Sequence, residues 1–96
     1  MIKVHVSGHL RAYTGKQRDF QIQQTGANSV FKLVQQLDEK FPGIKDRIFD
    51  DQDRTREFVN IFVNGENIRD IAGGENAPLK DDDTVHILPS VAGGSA

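Results

Sequence analysis

The stretch Val30-Phe31-Lys32-Leu33-Val34-Gln35-Gln36-Leu37-Asp38-Glu39-Lys40-Phe41-Pro42-Gly43 decides the fold, because here the hydrophobic period changes. Val30, Val34, Leu37 and Phe41 recur at spacings of four, three and four, the stripe of an amphipathic helix of about three turns. Asn28 or Ser29 can cap its start. It must stop near Lys40, since Pro42 disfavours helical geometry at the residue before it and Gly43 supplies a loose exit. Toward the amino terminus, Ile2, Val4 and Val6 alternate with Lys3, His5 and Ser7, and Phe20 and Ile22 alternate with Asp19, Gln21 and Gln23. These are two strands of period two, and Tyr13-Thr14-Gly15-Lys16 between them offers a turn glycine, so a hairpin is expected.

Toward the carboxyl terminus, Phe58-Val59-Asn60-Ile61-Phe62-Val63 is a strongly apolar strand ended by Asn64-Gly65, a tight-turn dipeptide. A short partner strand is expected near residues 67–69, and Thr84-Val85-His86-Ile87-Leu88 is the last strand, closed by Pro89. The charge-dense stretch 44–57, centred on Asp50-Asp51-Gln52-Asp53-Arg54, is expected to be a solvated surface loop holding at most one short helical turn. The order strand, strand, helix, strand, short strand, strand predicts an α+β arrangement, one mixed sheet packed on one main helix with the first and last strands central. This is a β-grasp.

Ninety-six residues suit one small domain, expected over 1–89, with residues 90–96 as a flexible tail of small side chains. Charged residues at 27% and hydrophobic ones at 36% describe a globular chain in which nothing spans a membrane. Twelve Lys plus Arg against fourteen Asp plus Glu leave a net charge of -2, too weak a field to gather nucleic-acid phosphates. The amino terminus lacks the apolar run of a secretory signal, which points to the cytoplasm. With no Cys, thiol nucleophiles and thiolate-rich zinc sites are excluded.

His5 and His86 occupy the polar phases of the first and last strands, and parallel neighbours would bring them together, with His9 nearby in sequence. A metal site there is conceivable, but the ligands lack characteristic spacing and no metal is expected. The carboxylates at Asp50, Asp51 and Asp53 and at Asp81 to Asp83 have nothing local to separate their pKa values, and both clusters are turn-formers. Gly73-Gly74 lacks the Lys and helix start of a phosphate loop and is also a turn. Gly93-Gly94 is different. In a chain without thiols, the main-chain carboxyl of Gly94 is a candidate reactive group, since glycine can be drawn through a narrow channel with no side chain blocking its carbonyl. From Pro89 to Gly94 the chain can extend roughly 20 Å at most. A frayed end with no function remains the other account of the two glycines alone.

The carboxyl half, from Phe58-Val59-Asn60-Ile61-Phe62-Val63-Asn64-Gly65 to Lys80-Asp81-Asp82-Asp83-Thr84-Val85-His86-Ile87-Leu88-Pro89-Ser90-Val91-Ala92-Gly93-Gly94, resembles the MoaD/ThiS family of ubiquitin-like sulfur carriers, particularly its MoaD-like branch. Leu10-Arg11-Ala12-Tyr13-Thr14-Gly15 is similar to the family's first turn, so the likeness spans nearly the whole chain. The resemblance implies a carrier without catalysis of its own. Gly94 would be adenylated by a ubiquitin-activating-type (MoeB/ThiF-like) adenylyltransferase, which supplies the ATP and magnesium site, and then converted to a thiocarboxylate that donates sulfide to a biosynthetic enzyme. No cofactor would be bound by the carrier itself. Gly93 would thread beside Gly94, and Leu88 holds the family's exposed apolar docking position. Phe62 either joins Leu88 or lies beneath the helix.

One departure is that family members usually end at the second glycine, whereas here Ser95-Ala96 follow and lock Gly94 in an amide. Processing, a cloning remnant and loss of carrier function each account for it. Processing at Gly94-Ser95 by a JAMM-type zinc metalloprotease is favoured, because zinc-polarised water can cut an exposed bond flanked by glycine. The extension tilts the expected fate toward cysteine, methionine or similar metabolite sulfuration rather than a molybdopterin synthase small subunit. A ubiquitin-like conjugation or binding module, with Gly94 joined to a lysine, is the alternative of a different class.

Overall fold

The computed structural model describes residues 1–89. Strands β1 (Ile2–Val6) and β2 (Asp19–Ile22) pair antiparallel, helix α1 (Val30–Lys40) follows, then a short helix α2 (Ile44–Ile48), strands β3 (Val59–Val63) and β4 (Glu66–Asn67), and β5 (Thr84–Pro89). The five strands form one sheet in the order β2-β1-β5-β3-β4, so β5 takes the middle and β1 lies beside it. The β1–β5 pair is parallel and the other pairs are antiparallel, which makes the sheet mixed, as expected.

Helix α1 begins as its sequence dictates. Ser29, in extended backbone, accepts a hydrogen bond at its Oγ from the Lys32 amide, 3.2 Å away, closing an otherwise unpaired donor. Val30, Leu33, Val34 and Leu37 are fully buried against Ile2, Val4 and Val6 of β1, Val59 and Ile61 of β3, and Val85 and Ile87 of β5. Phe41 leaves the helical region, as Pro42 requires, and its ring packs 5.3 Å from Phe20. The Asp38 carboxylate then accepts from the amides of Gly43 and Lys45, both at 3.1 Å, joining the end of α1 to the start of α2.

Three elements differ from expectation. Residues 44–57 are not a simple solvated loop, because Ile44, Ile48 and Phe49 are buried in the core and the Phe49 ring stacks on Phe31 at 5.8 Å. The apolar residues sit one helical turn apart, and their burial outweighs the charges around them, which simply stay on the outside. Between β1 and β2 the chain makes a 3-10 turn, Gly8–Ala12, that buries Leu10, followed by a second turn in which the buried Thr14 hydroxyl donates to carbonyl oxygens of the same loop. The antiparallel pair is therefore joined by a packed loop rather than a tight hairpin. Finally, β4 ends at Asn67, whose side-chain oxygen accepts from the Arg69 amide at 2.9 Å and diverts Ile68–Asp70 into a 3-10 turn. Asn64 and Gly65 both have positive φ, the geometry that a two-residue hairpin needs. No described helix is long and apolar enough to cross a membrane.

The buried second half of the helical region makes a specific claim on stability. Phe49→Ala should lower the unfolding free energy by about 3–5 kcal/mol, whereas Asp51→Ala, on the exposed turn beside it, should stay within about 0.5 kcal/mol. Urea denaturation of the two variants measures the difference, and two neutral outcomes would mean that this stretch is only a surface excursion.

Candidate functional site

Alternation along each strand turns Ile2, Val4, Val6, Val85 and Ile87 toward α1 and leaves their neighbours on the opposite face of the sheet. Register then aligns Asp19, His5, His86, Phe62 and Asn67 in one row across five strands. The parallel pairing places His5 opposite His86, with ring centroids 4.3 Å apart and planes nearly perpendicular. His5 Nδ1 hydrogen-bonds the Asp19 carboxylate, and His86 Nε2 lies 3.0 Å from Ser7 Oγ. That hydrogen bond from His5 holds the Asp19 carboxyl below the usual carboxylate range. Burial lowers the His86 pKa, the nearby His5 adds to the effect, and Asp19 opposes it.

Leu88 and Phe62 lie diagonally on this outer face. Leu88 pairs with Asn60 and His86 with Phe62, so the two half-buried apolar side chains belong to adjacent cross-strand rows. Neither packs against the core cluster beneath α1, and the alternative that Phe62 lies under the helix does not hold. Together they make a small apolar patch flanked by the imidazoles and by Asn60.

Beyond Pro89, the positions of Gly93, Gly94 and Ser95 lie outside the described residues. What the structure describes is the point from which they start. Pro89 stands opposite Val59 at the end of the central strand, and Gly8, with φ of 65°, backs onto it. A Cβ at Gly8 would come within 2.9 Å of Pro89 Cγ, so only glycine allows the first 3-10 turn to close against the strand end. No signal beyond the glycine itself marks that role in sequence.

The other candidates resolve into local structure. Asp50 accepts from the amides of Arg54 and Gln52, which hold its pKa down, and Asp83 accepts from the Lys80 amide and from Asn64 Nδ2. Gly73 and Gly74 have positive φ within a turn. A groove of about 780 Å³ opens between the loops around Arg54 and Glu75, over Phe31 and Ile68. Burial there pushes the Glu75 carboxyl up, but hydrogen bonds from the Thr55 amide and hydroxyl leave it lowered overall and already engaged. Among the described residues, no three His, Asp or Glu side chains are arranged to hold a metal ion.

Comparison with known proteins adds a second line of observation. The profile of the ThiS family matches residues 4–94. The sulfur carrier protein CysO of Mycobacterium tuberculosis strain H37Rv is 33% identical over 95 residues, which are 97% of this chain and 98% of that protein. In the crystal structure of the Amycolatopsis orientalis BexX/CysO complex, one chain superposes with a TM-score of 0.85 at 32% identity, covering 98% of this chain and 100% of its own. The small archaeal modifier protein 1 of Methanosarcina acetivorans superposes at 0.79 with 31% identity, over 97% of this chain and 95% of that one.

The depressed His86 pKa makes stability pH-dependent with a defined sign. Between the ordinary histidine value near 6.5 and the lower folded value, the unfolded chain binds more protons than the folded one, so stability rises with pH. The contribution is complete above about pH 6.5 and is lost as pH falls through the folded pKa. Thermal melts from about pH 8 to about pH 5.5 should show Tm falling with acidification, and His86→Gln should flatten that slope. An unchanged slope in the variant would remove burial of His86 as its cause.

Proposed function

Because the chain belongs to the ThiS family of ubiquitin-like sulfur carriers, we propose that it is itself a sulfur carrier, a protein cosubstrate activated by a separate enzyme. The observation that carries this reading is the extent of the match, which runs through the whole domain and ends at Gly94. Removal of Ser95-Ala96 frees the Gly94 carboxylate, and a JAMM-type zinc metalloprotease suits that cut. A ubiquitin-activating-type adenylyltransferase of the MoeB/ThiF kind then receives the tail, with Gly93 threading beside Gly94. A carboxylate is a poor electrophile. Its oxygen attacks the α-phosphorus of magnesium-bound ATP and displaces pyrophosphate, and the resulting mixed anhydride carries AMP as a good leaving group. Hydrosulfide displaces AMP at the carbonyl carbon, leaving a thiocarboxylate whose sulfur passes to a biosynthetic enzyme.

The domain's part in this chemistry is placement. Leu88 and Phe62 offer the apolar patch on which the adenylyltransferase docks, and the central strand ends beside it at Pro89, so docking aims the tail along the partner's surface. The relation to the sulfur carrier protein CysO favours the carrier reading, and the residues Ser95-Ala96 after Gly94 favour metabolite sulfuration in the cytoplasm, in cysteine biosynthesis or a similar pathway. The likeness to an archaeal modifier protein favours a second reading, conjugation of Gly94 to a lysine amine, through the same acyl adenylate.

One assay separates these. The chain ending at Gly94, mixed with ATP, magnesium, the adenylyltransferase and sulfide, should gain about 16 Da as oxygen is replaced by sulfur, and the chain ending at Ala96 should gain nothing. Absence of the gain, with lysine adducts in its place, would overturn the carrier reading in favour of conjugation. Intact-mass analysis of the protein from its own cells should find the form ending at Gly94; only the 96-residue chain, under sulfur demand as well, would overturn the processing step.

A further inference from the structure

Beside the apolar patch stands a cation whose position is already determined. Asn67 accepts from the Arg69 amide and turns the chain back over the sheet, and the Arg69 side chain then lies across the outer face. Its Nη1 donates to Asn60 Oδ1 at 2.8 Å and its Nη2 to the Arg56 carbonyl oxygen at 2.9 Å. Asn67 Nδ2 donates to the same Asn60 oxygen at 3.3 Å. Asn60 is the direct cross-strand neighbour of Leu88, so this network holds the guanidinium at the margin of the Leu88 and Phe62 patch.

Both acceptors that hold Arg69 are neutral. Among the described residues the ion pairs join Met1 to Asp81, His5 to Asp19 and Lys45 to Asp53, and none involves Arg69. The acidic side chain in the row of outer-face residues, Asp19, lies on the opposite edge strand of the sheet and is engaged by His5. Arg69 is exposed, and among the described residues two of the five N–H donors of its guanidinium have partners, so the remaining donors can take a carboxylate. The rotamer entropy that usually opposes a surface ion pair is already spent in the free protein.

We propose that Arg69 is a preorganised receptor for an aspartate or glutamate of the adenylyltransferase, bound as the enzyme's apolar surface covers Leu88 and Phe62. This rests on the carrier reading above and adds the chemistry of the partner's surface, a carboxylate set beside an apolar contact. A fixed guanidinium next to a dehydrating patch pairs more strongly than a mobile one, and it penalises partners that bring a cation or a purely apolar rim to the same place.

The test is binding of the full adenylyltransferase to the chain ending at Gly94, read by calorimetry and by association rates over a range of salt concentrations. Arg69→Gln should weaken binding by about 10–100-fold and flatten the salt dependence, Arg69→Lys should recover only part of the loss because an ammonium lacks the fork, and Arg69→Glu should be weakest. Restoration of Arg69→Glu binding by an acidic-to-Arg change on the enzyme identifies the paired carboxylate. Loss of affinity with unchanged salt dependence would mean that Arg69 only shapes the local turn, and overturns the proposal. If Leu88→Ala weakens binding while Arg69→Gln does not, the inference about Arg69 fails and the carrier reading stands. If the unsubstituted chain neither binds the enzyme nor forms a thiocarboxylate, it is the carrier reading that fails.

Discussion

The pairing of the first strand with the last is the constraint on which the rest of the structure depends. Four consecutive residues of β1, from Lys3 to Val6, pair in parallel with Thr84 to Ile87, and β3 closes on the other side of β5. Parallel neighbours cannot be joined by a tight turn, so the chain must travel around α1 before it returns. That return inserts β5 between strands formed earlier, buries Val85 and Ile87 beneath the helix, and leaves Pro89 at the end of the most enclosed strand. A segment emerging from such a position has a rigid origin.

The same pairing divides the sheet into two chemically distinct faces. On the α1 side lies a continuous aliphatic core, completed by Ile44, Ile48 and Phe49. The outer side carries two imidazoles, a carboxylate, two asparagines and the isolated apolar pair of Leu88 and Phe62. Its polar groups are tied to one another, His5 to Asp19, His86 to Ser7, Asn60 to Asn67 and Arg69. A face organised in this way is held in one arrangement before any partner arrives, which lowers the ordering cost of association.

The carrier reading separates function from side-chain chemistry. The described domain contains no nucleophile set apart by its surroundings, and its perturbed groups are explained by turns, by the histidine row, by the Thr55 hydrogen bonds to Glu75 and by the amino terminus beside Asp81. The carrier reading assigns reactivity to a main-chain carboxyl and leaves the fold to present it, dock it and distinguish partners. A chain without thiols also has no side chain that competes for the sulfur it would hold.

The sequence by itself determined what depends on near neighbours: the strand alternation in 2–7, the stripe and stop of α1, a cap at Asn28 or Ser29 of which the structure uses Ser29, the Asn64-Gly65 turn and the absence of Cys. It also made the proximity of His5 and His86 legible, because parallel central strands follow from the order of elements. Tertiary structure alone decided the burial of Ile44, Ile48 and Phe49, since charges dominate that stretch locally and only the packing of Phe31 above it shows which side turns inward. It likewise decided which face Phe62 occupies and where Arg69 is held. Those outcomes rest on hydrogen bonds and registers between residues far apart in the chain, and no local pattern encodes the partner of a side chain that is met only after the sheet has closed.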